Sequence, residues 1–251
     1  TVQLVFDQMR VPADRLLGPS DQGFRRASWL RARAMLAEVQ GDMPAALVAS
    51  REASVLQPLN LAHHRMVARL LASTESQTAA LDHIRAACAR HPQHYGLNRL
   101  LYDWLPRGST EEEAQLRHLV ALYPNDLWSL RELAIRLADQ QRWDEAEHFA
   151  RASLSRAPLL AASHGTLALV QIRRSGYAAA EAALREAVRL DVDYRYALST
   201  LIEDAPDKTC ADEAIAFVRA ELIRQVTIGD ALLGFQESAR VWLSPEALLP
   251  P

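Results

Sequence analysis

Small residues return at a nearly fixed interval along this chain, and that interval restricts the fold more than any other feature. Ala46, Ala80, Ala114, Ala146, Ala180 and Ala214 are spaced by 34, 34, 32, 34 and 34 residues. Seven positions after each stand Ala53, Ala87, Ala121, Ser153, Ala187 and Glu221, small in five cases of six. A period in the thirties means one supersecondary unit repeated and stacked, because a unit that short cannot bury its apolar face alone. The single short interval implies one two-residue deletion, which the pattern places at the turn Tyr123-Pro124-Asn125-Asp126.

Within each period the apolar residues follow helical spacing. Val67 with Leu71, Leu101 with Leu105, and Leu133 with Leu137 mark the inner face of a first helix. A polar turn follows, as at Gly41-Asp42-Met43, Gln141-Arg142-Trp143-Asp144 or Ser175-Gly176-Tyr177. A second helix then runs from near the repeated alanine to a proline, at Pro58, Pro92, Pro124 and Pro158. Proline cannot extend a helix and turns its predecessor away from helical geometry. Small side chains at the repeated places let the two helices of a pair approach closely. Glycine is scarce and β-branched runs are rare, which agrees with an all-α chain.

The period, the small–apolar pattern and the closing proline resemble a tetratricopeptide repeat (TPR) array over residues 27–226. The best unit contains Leu130, Leu133, Ala134, Trp143, Ala146, Ala150, Ser153, Leu154 and Pro158. The next matches at Leu167, Ala168, Gly176, Tyr177, Ala180, Leu184 and Ala187, with Val192 in the place of proline. The resemblance implies a right-handed superhelical α-solenoid of about six helix-turn-helix repeats. Terminal repeats need a polar cap. Asp230 to Trp242 is expected to supply it, within a 227–251 cap and tail, with Leu232, Leu233, Phe235, Ala239 and Trp242 facing inward and Asp230 as N-cap.

Residues 1–26 stand outside the repeat as an arm or fusion remnant. Val2-Gln3-Leu4-Val5-Phe6-Asp7, Arg10-Val11-Pro12 and Leu16-Leu17-Gly18 together are similar to a short stretch of acyl-CoA dehydrogenases. Nothing corresponding to that family's flavin site or catalytic glutamate follows, so no catalytic residue is carried over and no cofactor is expected.

The informative surface feature is a ladder. Arg31, Arg65, Arg99 and Arg131 each lie fifteen residues before one of the first four repeated alanines, and Gly165 and Ser199 end the series. The resemblance places these positions on the concave face of the array. With Arg69 beside the second rung and Trp128 as an aromatic anchor, they make a candidate surface for an acidic peptide or helix, held by arginine–carboxylate contacts. Leu169 and Tyr196 extend the less charged half. The residues that grip a chaperone's C-terminal carboxylate in some TPR proteins are missing: after Arg65 and Arg69 come Leu100, Trp128 and Glu132.

Other chemistry finds little footing. Cys88 and Cys210 read as buried free thiols. His63, His64, His83, His91, His94, His148 and His164 show no paired metal-ligand spacing. Glu111-Glu112-Glu113 after Gly108-Ser109-Thr110 reads as a helix start. A net charge of −3 argues against a nucleic-acid partner, although 27 of the 28 basic residues are arginine. No apolar run is long enough for a membrane span, and no leader segment is visible. The expectation is a non-catalytic cytoplasmic scaffold for protein partners, with self-association through the degenerate repeat ends open to it. The competing expectations are an accessory module of an acyl-CoA dehydrogenase-like flavoenzyme and, disfavoured, a helical-repeat RNA binder.

Overall fold

A computed structural model describes residues 23–225 and 229–243. The segment similar to acyl-CoA dehydrogenases and the tail expected after the cap, from Ser244 on, lie outside these residues. The described residues form thirteen helices and no strand. The first helices of successive pairs are α1 (Gly23–Val39), α3 (Leu61–Thr74), α5 (Tyr95–Trp104), α7 (Leu127–Asp139), α9 (Ala161–Ser175) and α11 (Arg195–Glu203). Their partners are α2 (Met43–Leu56), α4 (Gln77–Arg90), α6 (Thr110–Leu122), α8 (Trp143–Arg156), α10 (Tyr177–Leu190) and α12 (Lys208–Arg224); α13 (Ala231–Ala239) follows. Most helices pack chiefly on a neighbour in sequence, as α1 on α2, α3 on α4, α7 on α8 and α9 on α10, while α13 reaches past α12 to α11. This is an all-α solenoid of helix pairs. The chain divides into two compact units between Gln115 and Leu116.

The small-residue rule holds at Ala46, Ala80, Ala146, Ala180 and Ala214, all fully buried. It fails at Ala114 and Ala121, which are exposed. Their places belong to Glu112 and Leu119, both fully buried. The deletion therefore lies upstream of Glu112, not at Tyr123–Asp126. Helix α5 has ten residues where α3 has fourteen, and it stops before Pro106. The pattern misled because Ala114 and Ala121 keep a 34-residue spacing by coincidence and no apolar residue competes at 112.

A carboxylate at a close-packed place must be satisfied locally. Glu112 accepts hydrogen bonds from Arg107 Nη1 (2.9 Å) and the Gly108 amide (2.7 Å), while its own amide donates to Ser109 Oγ (3.1 Å). This is a reciprocal cap on the start of α6. Glu221 departs from the small-residue rule for a related reason. Its carboxylate accepts from Arg224 Nη2 (2.5 Å) and Gln225 Nε2 (2.8 Å). Gln225 also donates to Val188 O (2.9 Å) and accepts from the Val192 amide (3.0 Å). Val192 can stand where other repeats carry proline because its N–H has this partner.

The turns repeat their own chemistry. Asp42, Asn60, Ser76, His94, Asp126 and Asp207 cap the helices that follow them with side-chain acceptors. At one further register place, three residues into the first helices, a side chain returns to the helix-stopping proline. His64 Nε2 donates to Pro58 O (2.9 Å), Asn98 Nδ2 to Pro92 O (2.8 Å) and His164 Nε2 to Pro158 O (2.8 Å). Of the two thiols, Cys88 is buried and Cys210 only half-buried.

The capping helix is present but turned. Ala231, Gly234, Phe235, Ser238 and Ala239 are buried, and α13 packs on α11 and α12. Leu232 and Leu233 are 58% and 57% exposed, contrary to the inward orientation expected for them. Asp230 makes no capping bond; the Asp193 carboxylate accepts from the Gly229 and Ala231 amides instead (3.1 and 3.2 Å). The Trp242 indole donates to Ile202 O (2.9 Å), which ties the end of this cap to α11.

Candidate functional site

In the first unit, one face of α1, α3 and α5 forms a groove of about 670 Å³. Arg31, Arg65 and Arg69 line it, together with the apolar side chains of Met35, Val39, Met66, Leu100 and Trp104 and the acids Glu38 and Asp103. The placement follows from helix geometry. Met35 and Val39 lie four and eight residues beyond Arg31, and Arg69 lies four beyond Arg65, so each set shares one stripe. The opposite stripe of each helix is core: Leu30 and Ala34 on α1, Val67, Leu70 and Leu71 on α3, and Leu97 and Leu101 on α5 are buried together.

The ladder residues are not electrostatically equal. Arg69 is gripped by both oxygens of Glu38, with Nη2 to Oε2 at 2.8 Å. That bond holds the Glu38 carboxyl below its ordinary range and pushes the Arg69 guanidinium up. Arg99 donates to Asp103 Oδ1 at 3.3 Å along the same helix. Arg31 and Arg65 are exposed and make no ion pair or hydrogen bond with any described residue. The groove thus presents two uncommitted guanidinium groups over an apolar floor. Arg99 is not among the side chains that line this groove, and Arg131 and Trp128 belong to α7 of the second unit.

Sequence reasoning named the rungs but missed Met35, Met66, Leu100, Trp104 and Glu38 as groove residues. The signal lay at i+4 and i+7 from Arg31 for Met35 and Glu38, at i+1 from Arg65 and Arg99 for Met66 and Leu100, and at i+5 from Arg99 for Trp104. Trp29 does not line the groove; it is partly exposed beneath the Arg33 guanidinium, which lies 5.5 Å from its ring centroid.

The histidines serve structure here. His64 Nε2 faces a carbonyl, which can only accept, so that nitrogen carries the proton. Its Nδ1 then accepts from His83 Nε2 at 3.1 Å. Burial is the main reason the His83 imidazole is lowered to about 4; His64, Arg51 and Arg90 add repulsion. His63 Nε2 meets Gln57 Oε1 at 3.0 Å. Among the described residues no cluster of three or more histidine, cysteine or acidic side chains could hold a metal ion, and no helix is long and apolar enough to cross a membrane.

No protein-family model matches the chain, and no curated protein matches it. Solved structures do share its fold. A tetratricopeptide repeat protein from Parabacteroides merdae is 14% identical over 89% of this chain and 96% of that one, with a TM-score of 0.56. PilW, described as a widely conserved type IV pilus biogenesis factor, is 18% identical over 79% and 94%, with a TM-score of 0.54. MamA from Desulfovibrio magneticus RS-1 is 14% identical over 66% and 95%, with a TM-score of 0.50. The fold of this chain is TPR-like.

Proposed function

We propose that this chain is a non-catalytic scaffold whose first unit binds an acidic, partly apolar peptide segment in the groove of α1, α3 and α5. The observation that supports the reading is the pair of uncommitted arginines, Arg31 and Arg65, flanking the floor of Met35, Met66, Leu100 and Trp104. Carboxylates on the ligand would pair with the guanidinium groups, and its apolar side chains would displace water from the methionines and tryptophan. Methionine adapts to differently shaped side chains, which suits a groove that reads composition more than one fixed sequence. The chain is acidic overall, so a local cationic patch steers an acidic ligand to this groove and away from the remaining surface.

The test is selection from a random peptide display library on the full chain. The reading expects enriched peptides that combine Asp or Glu with large apolar residues, and loss of their binding to the Arg31→Glu/Arg65→Glu double variant. Enrichment of neutral or basic peptides, or binding unchanged in the double variant, would overturn it. Circular dichroism of that variant should match the parent, since both side chains are exposed.

A further inference from the structure

The second unit holds a guanidinium whose situation the helix packing does not explain. Arg131 Nη1 is buried with no hydrogen-bond partner, and Arg131 forms no ion pair with any described residue. A buried donor left unsatisfied destabilises a fold unless something else accepts from it. Arg131 occupies the rung place on α7; the same place on α9 is Gly165 and on α11 is Ser199, and α7 packs on α9.

Gly165 leaves room for an aromatic ring. A Cβ there would fall 2.4 Å from Tyr194 Cε1 and 2.6 Å from its hydroxyl. Tyr194 holds the N-cap place of α11, where Asn60, His94 and Asp126 cap the corresponding helices of other repeats. It makes no capping bond; its ring covers Gly165, with the Tyr196 ring 6.1 Å away behind it. Burial pushes the Tyr194 phenol up, and the Arg131 guanidinium pulls it back, as expected for two groups sharing one neighbourhood. The Tyr194 hydroxyl makes no hydrogen bond with a described residue. A tyrosine hydroxyl therefore sits at the rung place of α9, the first helix that packs on the α7 carrying Arg131.

We infer that Arg131 and the Tyr194 hydroxyl together form a carboxylate-binding site in the second unit. Guanidinium N–H groups and one phenolic O–H can donate to the two oxygens of a carboxylate, which accepts several hydrogen bonds at once. One free cation suits a monoanion better than a phosphate dianion. The neighbouring cations are already engaged: Arg173 and Arg136 by Asp139, and Arg195 by Glu237. Asp193 is turned to the Gly229 and Ala231 amides and does not compete. Trp128, one turn before Arg131, offers the ligand an apolar neighbour. The site rests on the scaffold reading only for the source of its carboxylate, an Asp or Glu side chain or the end of a partner chain.

The full chain, labelled with nitrogen-15, is titrated with three short probes while the Gly165 amide signal is followed, since that residue packs against the Tyr194 side chain. N-acetyl-Ala-Glu-Ala-amide offers a side-chain carboxylate, N-acetyl-Ala-Gln-Ala with a free C-terminus offers a chain end, and N-acetyl-Ala-Gln-Ala-amide is neutral. A saturable shift with either anionic probe and none with the neutral one is expected, and the probe that acts identifies the source. Tyr194→Phe, which keeps the ring on Gly165, and Arg131→Gln should each weaken binding by ~5-fold or more. The Arg31→Glu/Arg65→Glu variant should bind these probes as the parent does, so failure of the first-unit groove leaves this result intact. No saturable shift with either anion, or the same shift with the neutral peptide, would overturn the proposal.

Discussion

At the scale of single residues, what distinguishes the arginines is which acids reach them. Sequence spacing located Arg31, Arg65, Arg69 and Arg99, but it could not rank them. Glu38, which commits Arg69, lies 31 residues away and meets it only through the phase of two helices. Releasing that grip should help the ligand: Glu38→Gln is expected to raise affinity for a library-selected acidic peptide by ~2- to 5-fold, measured by fluorescence anisotropy. The histidine pair makes a second residue-scale prediction. Both His64 and His83 are neutral in the fold and lowered from the ordinary imidazole value of about 6.5, His83 to about 4. Between those values the unfolded chain binds more protons than the folded one, so stability is full above about pH 6.5 and falls as pH drops toward 4. The melting temperature should decline by of the order of 5 °C from pH 7.5 to pH 5, and His83→Gln should flatten that decline. An unchanged slope in the variant would contradict the assignment.

At the scale of helices, the elements themselves were legible. Alternating pairs, polar turns and helix-stopping prolines follow from local propensity and apolar spacing, and the described helices lie where those signals put them. The misplaced deletion was not legible, because a buried glutamate reads as surface in any hydrophobic pattern. Only its hydrogen bonds to Arg107 and Gly108 make Glu112 tolerable at a core place. Glu112→Ala should therefore cost about 2 kcal/mol in urea denaturation despite creating the expected small residue. Ser109→Ala should cost about 1 kcal/mol through the lost cap alone. A comparable exchange joins α10 and α12. Val192→Pro restores the residue that other repeats carry there, yet it removes the donor to Gln225. In a cycle with Gln225→Ala the two substitutions should be non-additive, coupling by about 1 kcal/mol; additivity would mean the Val192 amide bond contributes nothing.

At the scale of the molecule, a repeat array builds stability from neighbour contacts and leaves its first helices free to carry side chains for binding. The 34-residue period pointed to that plan, and the TPR resemblance to the face on which the proposed sites lie. Which part of the face is equipped was not written in the period. Arg31 and Arg65 differ from Arg69 and Arg99 only through their surroundings, and Arg131 is joined by a tyrosine from another place in the repeat. The central claim is that uncommitted charge over an apolar floor, not membership of the ladder, makes the binding site. It is tested by measuring the Kd of one library-selected acidic peptide at low and high salt for two variants, Arg31→Gln/Arg65→Gln and Arg69→Gln/Arg99→Gln. The first should lose ~10-fold or more at low salt and become nearly insensitive to salt, while the second should lose less than ~3-fold and keep the parent's salt dependence. Equal losses in the two variants, or a larger loss in the second, would contradict the account.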